Sequence, residues 1–260
     1  VYDSILVDES DLSLRITINR PQKKNAINES LLHEINWALD MAESKASCKI
    51  VILQGQSGVF CTGMDFELLQ TSPLPSAIES TSEDPLARLY QETLQRFTRT
   101  RRVIVTLVDG QVIGGGVGLV AASDLVLATN RCFFSLSEAL WGLLPAVVTP
   151  YLIRRVGYQL AYRMALTTIP ISAQEAHARQ LVDVLTEELE STLHQYVLRL
   201  ARIEENTVGD IKDYFQKMWL LTPEMEDIAV REISRLAASP KVIKNISNFV
   251  AHQRFPWDDF

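Results

Sequence analysis

Val103 to Val108 is a mostly β-branched apolar run, and after a bend at Asp109 and Gly110 come three consecutive glycines, Gly114 to Gly116, then the small apolar residues Val117 to Ala122. The run reads as a buried strand. Consecutive glycines let backbone approach a ligand closely. The residues after them read as a buried helix, whose first N–H groups are unpaired and whose start carries partial positive charge. Such a helix start suits an anion or a developing oxyanion. The stretch from Arg102 to Pro145 therefore organises the chain, since it also contains the acid Glu138.

Other uses of the glycines make different demands. A Walker-type loop needs Lys and then Ser or Thr after the last glycine, where Val117 and Gly118 stand. A dinucleotide fingerprint is formally present as Gly116-x-Gly118-x-x-Ala121, but its first glycine should follow the strand at once, and the next strand lacks a terminal acid for a ribose. Two readings remain: glycines that permit tight helix packing, and an oxyanion donor site.

At 260 residues and 47% hydrophobic content the chain can bury a large single core. No apolar run is long enough to span a bilayer, and the first residues lack a basic region followed by an apolar one, so a cytoplasmic location is expected. Three cysteines, Cys48, Cys61 and Cys132, without paired metal spacing predict free thiols and neither disulfides nor metal. A net charge of −7 argues against nucleic acid or an anionic membrane as partner. Lys23/Lys24, Arg99/Arg101/Arg102, Arg154/Arg155 and Lys241/Lys244 are the basic clusters that could meet an acidic partner.

Along the chain, Ser4 to Glu9 and Leu12 to Asn19 predict a hairpin, and Asn28 caps a helix with apolar residues at Leu31, Leu32, Ile35, Leu39 and Ala42. Lys49 to Gly55 is a short buried strand, followed by a second turn of interest, VFCTGMDFELL. Gln70 to Asp84 reads as a long loop and is expected to be a mobile lid. Leu86 to Phe97 is a helix, and short strands follow at Asp124 to Ala128 and Cys132 to Ser135. After Pro170, helices are expected at Ser172–Arg179, Leu189–Arg202, Gly209–Leu221 and Pro223–Ala238, with one short strand at Leu181–Leu185. The fold class is α/β, with residues 1–170 as the α/β core and 171–260 as a helical, oligomerising part. KIVILQGQSGVFCTG and RVIVTLVDGQVIGGG share a layout that would set two glycine turns side by side.

The chain resembles the crotonase (enoyl-CoA hydratase/isomerase) superfamily over nearly its whole length. NRPQKKNAIN resembles the superfamily's NRP…NALN segment, VFCTGMDF its F(S/C)AGxD turn, VDGQVIGGGVGL its NGxxxGGG turn and SNFVAHQRFPW its AFxEKRxP close. The resemblance implies a crotonase fold, a spiral of strand-strand-helix units with a helical C-terminal part. It implies that the backbone N–H groups of Met64 and Gly115 hold a thioester oxygen. Of the two glutamates that hydratases use, the second matches Glu138 and the first falls on Gly118, a departure from the two-acid pattern.

A lone carboxylate can still take a proton from the α-carbon and return it to a departing β-hydroxyl. Asp65, Tyr90, Gly118, Pro145 and Ala146 are the remaining pocket candidates, with Asp65 expected as a local cap; His33, His177, His194 and His252 are expected to be non-catalytic. Together these features most resemble the dehydratases of polyketide β-branching, which act on a 3-hydroxy-3-methylglutaryl group held on an acyl carrier protein. The implied assembly is a homotrimer or dimer of trimers. No cofactor is implied beyond the phosphopantetheine or coenzyme A that carries the substrate. Alternatives are an enoyl-CoA isomerase or atypical hydratase using coenzyme A thioesters, and a non-catalytic scaffold of this fold.

Overall fold

The structure, a computed structural model, describes residues 2–56, 58–67 and 83–258. The lid expected within Gln70 to Asp84 falls almost entirely outside the described residues.

The chain begins with the expected hairpin, β1 (Ile5–Glu9) antiparallel to β2 (Ser13–Ile18), and Asn28 caps α1 (Glu29–Ser44) by accepting from the Leu31 N–H. From there strands alternate between two sheets. β3 (Ile50–Gln54), β5 (Val103–Val108), β7 (Leu125–Ala128) and β10 (Val184–Leu185) extend the hairpin into a six-stranded sheet ordered β1-β2-β3-β5-β7-β10, parallel after the first pair. β4 (Val59–Cys61), β6 (Gln111–Ile113), β8 (Phe133–Ser135) and β9 (Ile171–Ser172) form a second sheet in that order. Each winding of the spiral thus lays one strand on each sheet and then a helix: α2 (Pro85–Arg99) after β4, α3 (Gly115–Ala122) after β6 and the short α4 (Glu138–Trp141) after β8.

β5 is apolar on both faces, apart from Thr106, whose hydroxyl pairs with that of Ser123, because both faces are covered. Ile104 and Val108 belong to the main core, whereas Val103, Val105 and Leu107 pack with Leu193 and Val208 from α8 (Leu189–Leu200) and α9 (Glu205–Gln216). α3 is buried on every side, as its small apolar sequence predicts. The Asp124 carboxylate accepts from the Ile104 N–H at 2.7 Å and pairs with Lys212 of α9 at 2.6 Å, which fastens β5, β7 and the helical region together.

α5 (Thr149–Val156), α6 (Tyr158–Thr167), α7 (Ala173–Ala178), α10 (Pro223–Ala237) and α11 (Pro240–His252) complete the described α-helices. α9 begins four residues before the expected Gly209 and ends before Leu221, and α11 lies beyond the last helix whose bounds the sequence reading gives. Ser239 caps α11 by accepting from the Val242 N–H, and Pro240 occupies its first position, so the start signal was present. Among the described residues, no helix is long and apolar enough to cross a membrane.

Candidate active site

β4 and β6 are hydrogen-bonded neighbours, so the glycine turns that leave them are neighbours too. Gly63 (φ +87°) and Gly114 (φ +53°) both adopt left-handed backbone, which side-chain-bearing residues avoid. The turns touch: a Cβ on Gly63 would stand 3.4 Å from the Gly115 nitrogen and 3.6 Å from the Gly114 Cα. Met64 forms a parallel bridge with Ile27 in which the Ile27 N–H donates to Gly63 O and Ile27 O accepts from the Asp65 N–H. The N–H of Met64 itself therefore faces away from that bridge. Gly115 is the first residue of α3, so its N–H has no acceptor within the helix.

Glu138 opens α4 and lies against the second turn, its Oε1 3.2 Å from where a Cβ on Gly114 would be. Its Oε2 is buried and has no hydrogen-bond partner among the described residues. Burial pushes this carboxyl from 4.5 up to about 7, an effect that the N–H groups of Glu138 and Ser137 only partly oppose. A carboxyl with that affinity can both take and return a proton near neutrality.

Met64, Asp65, Tyr90, Gly115, Glu138, Pro145 and Ala146 line one cavity of about 570 Å³. Gly118 is not in its lining; it sits behind Tyr90. Tyr90 projects from the buried stripe of α2, Ala87, Tyr90, Leu94 and Phe97, and its hydroxyl donates to Gly115 O at 2.5 Å. A Cβ on Gly118 would overlap that hydroxyl. No side chain, and so no carboxylate, fits at position 118 while Tyr90 holds this place. Asp65 is buried and pairs with Arg20 at 2.9 Å, tying the first turn to the loop before α1, and its Oδ1 accepts from the Glu67 N–H at 3.2 Å. The helix it was expected to cap lies outside the described residues. Among the described residues, no group of three or more His, Cys, Asp or Glu could hold a metal ion.

Residues 11–259 match the sequence profile of the family described as enoyl-CoA hydratase/isomerase. The chain belongs to that family. Its relatives include the bacillaene synthase dehydratase PksH of Bacillus subtilis, 33% identical over 258 residues and spanning 99% of this chain and 98% of that protein. The 2,3-dehydroadipyl-CoA hydratase of Escherichia coli is 32% identical over 199 residues, 76% of this chain and 74% of that one. Among solved structures, a polyketide-biosynthesis enoyl-CoA hydratase (pksH) of Bacillus subtilis superposes with a TM-score of 0.88 at 31% identity, covering 98% of this chain and all of that one. The fold is thus shared with that solved structure over nearly the whole of both chains.

Sequence reasoning missed the aromatic wall of this site. Trp141, three residues after Glu138, meets Phe66 edge-on at 4.8 Å and Phe249 of α11 at 5.1 Å, and Phe255 and Trp257 stack at 4.8 Å on the same cluster. Phe66, Trp141, Phe249 and Phe255 all line the cavity. The quoted SNFVAHQRFPW segment carries Phe249 and Phe255, so its aromatic spacing was the available signal.

Burial of Glu138 has a consequence for stability. Because its folded pKa lies above the unfolded value, the folded state binds the proton more tightly, so the stabilisation is complete below about pH 4.5 and is lost as pH rises to about 7. The shift corresponds to up to about 3 kcal/mol. Glu138→Gln should therefore unfold at a higher temperature than the native protein at pH 8, with the advantage shrinking towards pH 5. Thermal unfolding at both pH values checks this; an advantage independent of pH would show that ionisation in a dry site is not the cause.

Proposed function

We propose that this protein dehydrates a 3-hydroxy-3-methylglutaryl thioester, carried on the phosphopantetheine of an acyl carrier protein, to the 3-methylglutaconyl thioester in polyketide β-branching. The observation that carries this reading is a buried carboxyl with an unpartnered oxygen, Glu138, set against two touching backbone turns, with Tyr90 closing the place where a second acid would stand. Full-length similarity to a dehydratase supports it.

In this reading the thioester oxygen lies on the N–H groups of Met64 and Gly115. Glu138, as carboxylate, removes a C2 proton, and the charge moves onto the oxygen held by those donors. The enolate collapses to the C2=C3 double bond as the C3–O bond breaks, and Glu138 returns its proton to the departing hydroxyl as water. Glu138 ends as it began. The step is feasible because donors fixed in place before reaction need no reorganisation as charge develops.

The acidic carrier needs a basic face. Arg102 is buried and paired with Glu205, Arg155 pairs with Asp183, and Arg154 packs over Trp219, so these members of the basic clusters serve the fold. Lys241 and Lys244 remain exposed on α11, lining a small cleft with Asn245, Asn248 and Arg254, and Phe255 borders both this cleft and the main cavity. We assign the carrier to this face. Trimer formation is supported by the apolar residues exposed on and beyond α9, Ile211, Tyr214, Phe215, Met218 and Leu220. Three buried free thiols suit a reducing cytoplasm.

The test is intact-protein mass spectrometry of a carrier loaded with 3-hydroxy-3-methylglutaryl. Incubation with this protein should remove one water, and Lys241→Glu with Lys244→Glu should slow that loss about tenfold at low salt while leaving the free pantetheine thioester unaffected. An unchanged mass on a competent carrier, with turnover of coenzyme A enoyl thioesters instead, would replace this reading with the isomerase or hydratase one.

A further inference from the structure

The Tyr90 hydroxyl is more than a filler for the space above Gly118. Tyr90 lines the cavity and its only hydroxyl proton is committed to Gly115 O at 2.5 Å, so to a group in the cavity that reaches it the phenol oxygen can offer only lone pairs. Tyr90 is 4% exposed, which leaves little room for bulk water to satisfy those lone pairs. Its position is defined relative to the reaction: a Cβ on Gly115 would stand 3.5 Å from the Tyr90 oxygen, beside the residue whose N–H faces the thioester oxygen. A β-hydroxyl is only three bonds from the thioester carbonyl carbon. Within the acyl group near that carbon, it is also the one hydrogen-bond donor.

We propose that Tyr90 is a specificity residue that accepts a hydrogen bond from the β-hydroxyl of the substrate, selecting 3-hydroxyacyl thioesters over acyl thioesters that lack the hydroxyl. This rests on the dehydratase reading and adds the recognition step to it. Donation of the hydroxyl proton to Tyr90 turns an oxygen lone pair away from Tyr90 and leaves it available to Glu138. When the C3–O bond breaks, that oxygen takes the proton held by Glu138, keeps its own and leaves as water; Tyr90 neither gains nor loses a proton. Gly118 is part of the device, because any side chain there would displace the phenol.

Three measurements separate this role from simple support of Gly115. Tyr90→Phe should slow dehydration of the 3-hydroxy-3-methylglutaryl carrier by about tenfold to a hundredfold, the range for loss of one buried hydrogen bond. The same variant should exchange the C2 hydrogens of a 3-methylglutaryl carrier in deuterium oxide within about twofold of the native rate, since that analogue has no β-hydroxyl. In the Glu138→Gln background, which keeps Tyr90, 3-hydroxy-3-methylglutaryl pantetheine should bind about tenfold tighter than 3-methylglutaryl pantetheine, a preference that the added Tyr90→Phe substitution removes. Parallel loss of dehydration and exchange would mean that Tyr90 acts only by holding Gly115, and equal binding of the two thioesters to Glu138→Gln would likewise overturn the proposal. If the native protein fails to dehydrate the carrier, the dehydratase reading falls by itself, and the binding comparison still decides whether Tyr90 recognises a hydroxyl.

Discussion

Glu138→Gln should lower the rate of dehydration by about 100- to 10,000-fold, the usual worth of a positioned acid or base. The amide keeps the shape and can still fill the space beside Gly114, so thioester binding should change by no more than about threefold, and the loss should fall on kcat. The native pH profile follows from the same group. Glu138 must begin as carboxylate, so kcat/KM should rise about tenfold per pH unit up to about 7, where burial has placed its pKa, and level off above it. Steady-state kinetics of both proteins between pH 5.5 and 9 checks the two statements together. A variant that retains its rate within tenfold would take Glu138 out of the chemistry and revive the scaffold reading.

Removing an oxyanion donor should be nearly as costly, although here the donor belongs to the backbone. Met64→Pro deletes the N–H without touching the Ile27 bridge, which uses Gly63 O and the Asp65 N–H instead. The restriction that proline places on the preceding residue falls on Gly63, the residue best able to accommodate it. The expected result is a 100- to 1,000-fold loss in kcat, against a change within about threefold for Met64→Ala, which keeps the N–H and removes only the side chain. Unchanged far-ultraviolet circular dichroism and retained binding of a non-reacting thioester would show that the fold survived. If both variants lost activity alike, the Met64 side chain and not its N–H would be the contributor.

Much of this site was legible because its chemistry sits in local patterns. The β5 run, the three glycines and Glu138 are contiguous enough that strand, turn and helix start could be read from them. The neighbouring placement of the two turns was also legible from their repeated layout, and it follows physically from pairing of β4 with β6. What escaped depends on distance in sequence. β6 lies between the bend at Gly110 and the first of the three glycines and so was read with the turn, and β9, two residues long, falls where helices are expected to begin. Tyr90 could be placed on a helix, but its reach to Gly115 and Gly118 comes from packing of α2 on α3, which no local pattern encodes. Gly118 itself was read as a missing acid; the space it leaves is occupied by a residue from another element. Asp65 looked like a cap, and only the fold brings Arg20 to it.

The aromatic cluster gives the molecule an optical property. Of the four tryptophans, Trp37 is exposed and Trp219 lies under Arg154 far along the chain, whereas Trp141 and Trp257 both belong to the ring cluster. Trp141 is a near neighbour of Glu138 in sequence and forms part of the cavity wall. Its indole is buried among phenyl rings, so its emission should be that of a dry environment and should respond to whatever enters beside it. Ligand arrival, ring rearrangement and loosening of α11 are therefore all written into the intrinsic fluorescence of the protein, and the site carries its own reporter without an added dye.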